Sequence, residues 1–162
     1  MKPKNFIIDV DGVMTDGKFH YSNQKKIFKV FGADDNEGLK ILSKYLNIYF
    51  ITSDRRGYKI SKRRITEDMN YDLFYINTKN RYSFVNKKFD LNISIFMADS
   101  FTDYYMLKNC FYSIVPQNAD EDVKKISKYT TKRSGGDRAV SEACKHILKK
   151  FFNKNILDLI QK

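Results

Sequence analysis

The chain has 162 residues, which suits one domain spanning residues 1–162 with a real hydrophobic core. With 42% hydrophobic residues, two prolines, seven glycines and no repeat or low-complexity block, it is not a disordered or linker-rich chain. Net charge is +11, but Lys and Arg are scattered rather than gathered in one block, which fits solvated helix faces better than a nucleic-acid surface.

Phe6 to Val10 reads as a first buried strand. The stretches FHYSN and KKIFKVF alternate as a short β-hairpin with Ser22, Asn23 and Gln24 near its turn. DDNEGLKILSKYL carries Leu39, Leu42 and Leu46 at helical spacing, with Asp35 or Asn36 as its N-cap. NIYFITS is a second core strand, GYKISKRRITEDM a helix, and DLFYI a third strand. NRYSFVNKKF is helical and ISIFMADS a fourth strand. FTDYYMLKNC is a helix, YSIVPQ a fifth strand, and NADEDVKKISKY a further helix. AVSEACKHILKKFF opens a long final helix that breaks near Asn153 to Asn155.

Strands alternating with helices predict a doubly wound α/β fold with a mostly parallel sheet covered on both faces. Ligands of such sheets bind beyond the carboxyl ends of the strands. Asp9 ends the first strand, Thr52 the second and Asp99 the fourth, while Lys79 follows the third. These residues should meet on one rim although they are far apart in sequence. Carboxylates gathered there would repel one another or take up protons, and a hard divalent cation relieves the conflict. Mg²⁺ with Asp9 and Asp99 as ligands is the expected choice. A carboxylate screened by such an ion can attack phosphorus, giving an aspartyl-phosphate. Asp11, two residues on, has the spacing to protonate the leaving alcohol and later activate water, and Gly12 frees the backbone between them. A D-x-D pair after a strand is by itself weak, because Asp also caps turns. The full set of strand, D-x-D-G, Thr52, a basic residue after the third strand and D-x-x-x-D after the fourth is far more specific.

The motif DVDGVMTDG resembles the first motif of the haloacid dehalogenase superfamily, and more narrowly the cap-less 3-deoxy-D-manno-octulosonate 8-phosphate phosphatases. The likeness extends from about Asn5 to about Leu148 through GLKIL, ITS, ADSFTD and SGGDRAVSEAC. It implies a Rossmann-like fold with a β-hairpin flap and no cap domain. It makes Asp9 the nucleophile and a Mg²⁺ ligand, and Asp11 the general acid/base with its backbone carbonyl on the metal. Thr52 would hydrogen-bond the transferring phosphoryl group. Asp99 would be the third protein ligand to the metal, and Asp103 would support the metal shell. A cation is needed on the phosphoryl group, and Lys79 is preferred over Arg81, which sits where the family's helix-opening Lys usually stands. Thr15, Ser53, Arg55, Arg81 and Arg138 are the candidate substrate-binding residues.

Departures from the family pattern bear on substrate. Thr52-Ser53-Asp54 replaces Thr-Gly-Arg, and Ala98 and Ser100 stand where Gly and a second Asp are common. Asp137 occupies the place of a substrate-facing Arg, which is displaced to Arg138. The expected activity is a Mg²⁺-dependent phosphatase for a phosphorylated sugar or sugar acid of a surface-polysaccharide pathway. The alternatives are the same chemistry on another sugar, alditol or nonulosonate phosphate and, remotely, a basic nucleic-acid-binding protein. The resemblance implies a homotetramer in which the hairpin and a neighbour's C-terminal segment close the site. Cys110 and Cys144 have neither metal-ligand spacing nor a disulfide framework, and the N-terminal stretch is no signal peptide, so a cytoplasmic protein without membrane contact is expected. Both cysteines read as core, and His20 and His146 as structural or surface residues, although His20 in the hairpin could line the pocket. Phe151 and Phe152 fit either core or contact with another subunit.

Overall fold

The computed structural model describes residues 2–160. After β1 (Asn5–Asp9) the chain makes a tight turn and a small antiparallel hairpin, β2 (His20–Tyr21) and β3 (Lys26–Phe28). Then follow α1 (Asp35–Leu42), β4 (Asn47–Thr52), α2 (Tyr58–Lys62) with a wide turn over Arg63–Asp68, β5 (Asp72–Tyr75) and α3 (Thr78–Phe89). The second half holds β6 (Ser94–Met97), α4 (Tyr104–Asn109), β7 (Tyr112–Val115), α5 (Glu121–Ile126), β8 (Tyr129–Thr130), α6 (Ala139–Phe152) and α7 (Ile156–Ile160).

Six strands form one parallel sheet in the order β5-β4-β1-β6-β7-β8, with β1 central between β4 and β6. That position explains its composition, since a strand covered on both faces reads as unbroken apolar residues. Phe6, Ile8 and Phe50 join a core with Leu39 and Leu42 of α1 and with Val140, Ala143 and Ile147 of α6. Ile7, Ile51 and Phe96 join a second core with Val85 and Phe89 of α3, Met106 and Leu107 of α4, and Val123 of α5. The doubly wound α/β sandwich expected from the sequence is therefore present, with the hairpin as its flap and no inserted cap domain. Among the described residues no helix is long and apolar enough to cross a membrane.

Three local expectations need correction. The helix expected through Tyr129 ends at Ile126, and Tyr129–Thr130 pair with Ile114 and Val115 as a sixth strand at the sheet edge. Two residues carry no periodicity, so only the neighbouring strand reveals it. Asp34, not Asp35 or Asn36, flanks the start of α1, and the helix stops at Leu42. Asp35 is fully buried, and its carboxylate instead accepts from the Ser141 N–H in the first turn of α6, at 2.8 Å.

The hairpin reverses the usual pattern of burial. It exposes Phe19, Tyr21, Ile27, Phe28 and Val30, while Lys26 and Lys29 are each only 7% exposed. Strict alternation would put Lys26 and Lys29 on opposite faces. Because β3 ends at Phe28, Lys29 is free to turn inward beside Lys26.

Candidate active site

The turn after β1 is set by its own side chains. Gly12 has φ +85°, a region that L side chains avoid, and its N–H donates to Thr15 Oγ1 at 3.2 Å. The Gly17 N–H donates to the same hydroxyl at 3.3 Å. A Cβ on Gly12 would lie 1.9 Å from Asp99 Oδ2, so only glycine lets this turn pass the end of β6. From behind, Asn118 Nδ2 donates to the Gly12 carbonyl at 3.0 Å, and Asn118 Oδ1 accepts from Gly135 N–H at 2.6 Å.

The ends of β1, β4 and β6 meet α3 on this rim. Arg81 Nη2 donates to Asp9 Oδ1 at 2.6 Å. Arg81 Nε lies 3.2 Å from Asp103 Oδ1, close enough for an ion pair but misaligned for a hydrogen bond, so both Asp103 oxygens are buried without a hydrogen-bond donor. Arg81 Nη1 reaches Ser53 Oγ at 3.3 Å. Asp11 is held at both oxygens: Lys29 Nζ sits 2.6 Å from Oδ1, and Thr52 Oγ1 donates to Oδ2 at 3.1 Å. An open cleft of about 380 Å³ is lined by Asp9, Asp11, Ser53, Asp54, Arg81 and Asp99, with Phe19 of the hairpin at its edge.

The charges do not balance. Burial raises Asp9 above the usual carboxylate range, against the pull of Arg81 beside it. Burial, then the charge of Asp9, pushes Asp99 up to about 7, and burial pushes Asp103 up to about 7 despite Arg81. Asp9 and Asp103 thus share one guanidinium, and Asp99 has no ion pair with it among the described residues. A divalent cation fits this deficit. Among the described residues no three His, Cys, Asp or Glu side chains close on a point as a cage. That is compatible with Mg²⁺, which typically takes one or two carboxylates and completes its shell with waters and phosphate oxygens. Asp9, Asp99 and the Asp11 backbone carbonyl are the donors that would hold it.

The sequence-predicted residues divide. Asp9, Asp11, Thr52, Ser53, Arg81, Asp99 and Asp103 come together. Lys79, preferred from the sequence as the cation, is exposed in the first turn of α3, while Arg81 is 5% exposed and touches Asp9. Two residues apart on a helix means roughly 200° of rotation, so only one of the pair can face the cleft. Thr15 is fully buried and spends its hydroxyl on the turn rather than facing the cleft. Arg55 is exposed and outside the cleft lining. Arg138 is exposed and paired with Asp34. His146 stacks between Tyr112 and Tyr129 in a structural cluster, and His20 stacks on Phe28 in the hairpin.

Sequence reasoning missed Lys26, Lys29 and Asp54. Lys26 Nζ lies 2.5 Å and Lys29 Nζ 2.9 Å from Asp54 Oδ2, and these bonds hold Asp54 down at about 2 against the cost of its burial. The available signal was a hairpin with apolar residues on both faces, too many for a free ribbon. Asn118 was also missed, and a lone Asn in a loop gives no signal of its role.

No protein-family model matches the chain. It is 27% identical over 166 residues to the 3-deoxy-D-manno-octulosonate 8-phosphate phosphatase KdsC of Haemophilus influenzae, covering 98% of this chain and 89% of that protein. The crystal structure of 3-deoxy-D-manno-octulosonate 8-phosphate phosphatase from Moraxella catarrhalis, in complex with magnesium, phosphate and a KDO molecule, superposes with a TM-score of 0.78 at 24% identity. That match covers 99% of this chain and 94% of the other. A haloacid dehalogenase superfamily (subfamily III A) hydrolase structure from Legionella pneumophila gives a TM-score of 0.82 at 25% identity, over 99% and 91% of the two chains.

Proposed function

We propose that this chain, built on the cap-less haloacid dehalogenase-type phosphatase plan, is a Mg²⁺-dependent phosphomonoesterase for a phosphorylated sugar or sugar acid. The observation that supports the reading best is the contact of Arg81 with Asp9 in a rim whose carboxylates outnumber its cations. A Mg²⁺ ion bound by Asp9, Asp99 and the Asp11 carbonyl would supply charge neutralisation for a phosphate dianion approaching a carboxylate.

The chain's own residues supply the rest. An Asp9 carboxylate oxygen attacks phosphorus, and the ester P–O bond breaks as the aspartyl-phosphate forms. Asp11 gives its proton to the departing alcohol oxygen. In the second half Asp11 takes a proton from water, whose oxygen attacks phosphorus and frees Asp9 and phosphate. Arg81 donates to phosphoryl oxygens beside Asp9, and its planar fork can hold two of them. Thr52 orients Asp11 through its hydroxyl.

Asp54 in the cleft lining favours a second reading for the substrate. Asp54 occupies Lys26 and Lys29, and Arg81 serves Asp9 and the phosphoryl group, so among the described residues no cation of this wall is left to pair with a carboxylate on the sugar. A neutral sugar, an alditol, or a sugar acid gripped by a second copy of the chain are the forms this wall accepts. The outward apolar face of the hairpin supports a homo-oligomer, and a homotetramer is the form carried by the resemblance.

Phosphate release from a panel of sugar, alditol and sugar-acid phosphates with Mg²⁺ tests the activity. Turnover that disappears on chelation and in Asp9→Asn supports it. Full activity in Asp9→Asn rejects the mechanism, and no release from any ester rejects the function.

A further inference from the structure

Lys29 makes an unusual set of contacts for a lysine on a flap. Its side chain is 0% exposed. Its ammonium meets Asp11 Oδ1 at 2.6 Å, Asp54 Oδ2 at 2.9 Å and Ser61 Oγ at 2.8 Å. The ammonium donates to Ser61 Oγ and ion-pairs with both carboxylates, its contact with Asp11 Oδ1 being close but misaligned for a hydrogen bond. Burying an ammonium is costly unless it is paired and hydrogen-bonded, so the arrangement persists because two carboxylates and a hydroxyl surround it.

The support extends outward in order. Asp54 is itself fixed, accepting from the Gly57 N–H at 3.1 Å and pairing with Lys26, whose ammonium lies 3.3 Å from the centre of the Phe19 ring. The hairpin thus reaches Asp11 through Lys29 directly and through Asp54 as an anchor for Lys29. With Thr52 on the other oxygen, Asp11 has both ends of its carboxylate held.

We propose that Lys29 is a positioning residue: its ion pair with Asp11 Oδ1, set against the Thr52 hydrogen bond on Oδ2, keeps the Asp11 carboxylate where Asp11 exchanges a proton with the leaving oxygen. The inference rests on the phosphatase reading and adds a role for the flap within it. The reaction balance is unchanged, because the proton Asp11 gives to the alcohol is regained from water and Lys29 keeps its own protons throughout. Proton transfer needs heavy atoms within about 3 Å, so a loosened Asp11 costs rate while Asp9 and Arg81 still bind the phosphate.

The test compares two leaving groups on the same enzyme preparation. A primary sugar phosphate that the wild-type chain hydrolyses leaves as an alkoxide and needs a proton, whereas p-nitrophenyl phosphate leaves as a stable phenolate and does not. In Lys29→Met, kcat/KM on the sugar phosphate should fall about 100-fold and on p-nitrophenyl phosphate less than about fivefold, the pattern expected of Asp11→Asn as well. Taking the ratio of the two substrates cancels any loss of folded protein. If Lys29→Met does not fold, Lys29→Gln, which keeps a donor between the carboxylates, is read by the same ratio. Equal losses on both substrates reduce Lys29 to a structural residue and overturn the proposal, as does a ratio that stays at the wild-type value. A wild-type chain that releases phosphate from neither ester overturns the phosphatase reading instead, a result distinct from either.

Discussion

Arg81 Nη2 donates to Asp9 Oδ1 at 2.6 Å while the Nε of the same guanidinium faces Asp103. One buried cation therefore ties the end of β1 to the turn that follows β6, and Lys79 takes no part. Arg81→Ala should lower phosphate release about 100-fold or more, comparable to removing a donor from an oxyanion hole, and Arg81→Lys should restore it only partly. Lys79→Ala should stay within about twofold of wild type. Steady-state kinetics on one sugar phosphate check all three, and a large loss in Lys79→Ala would return that residue to the site.

The raised Asp99 and Asp103 set a pH dependence. In solution-exposed chains these groups titrate near 3.9, and in the fold both are at about 7. Between those values the folded protein holds protons that the unfolded chain has released, so without metal its stability falls as pH rises through that window. Asp54 has the opposite sign: held at about 2, it adds stability above its unfolded value and loses it only in stronger acid. Melting temperature should therefore drop between about pH 5 and pH 8 without metal. Added Mg²⁺ should raise it more at about pH 8 than at pH 5, because at the lower pH it competes with protons. Equal increments at both would contradict the assignment of these carboxylates to the metal.

Gly12 and Gly135 are pressed together across the turn. A Cβ on Gly135 would sit 2.0 Å from the Gly12 carbonyl oxygen, and one on Gly12 would strike Asp99. Gly135→Ala must push the turn toward the cleft, so Mg²⁺ affinity and kcat should fall together by about tenfold or more while the far-UV spectrum is kept. A Mg²⁺ titration of this variant with wild-type affinity would show that the turn yields elsewhere.

Asp35 is a stability residue rather than a site residue. It accepts from Ser141 N–H at the start of α6, and the contact is buried. Asp35→Ala leaves that donor unpaired and should cost about 1–3 kcal/mol in urea unfolding. Asp35→Asn keeps an accepting oxygen and should cost less, and the reverse ranking would assign the burden to charge instead.

The outward face of the hairpin should report on assembly. Ile27→Lys with Phe28→Glu places charges on an exposed apolar surface and should lower the molar mass seen by light scattering, without a loss of helix signal. An unchanged mass would reject the hairpin face as a contact between copies.

The central strands were legible because burial on both faces leaves a plain signature, as in FII of β1 and SIFM of β6. Asp9, Asp11, Thr52 and Asp99 were legible because strand ends in such a sheet are fixed by the strands themselves. The choice between Lys79 and Arg81 was not. It turns on the rotation of α3, which starts at Thr78 behind an Asn77 cap rather than at Asn80. The support of Asp11 by Lys29 was not legible either. It depends on where β3 stops, and pairing in so short a ribbon leaves little trace in sequence.

The single amide of Asn118 has a bearing on the order in which the molecule becomes competent. It bridges the Gly12 carbonyl to the Gly135 N–H, across 106 residues on one side and 17 on the other. During synthesis from the N-terminus, β1 and its acidic turn emerge early, yet the clamp that sets the turn is made only in the last third of translation. A growing chain can gather much of its sheet before that point. The chemistry proposed for it would be among the last properties acquired, so half-made chains would hold the Asp9 carboxylate without the geometry of the finished turn.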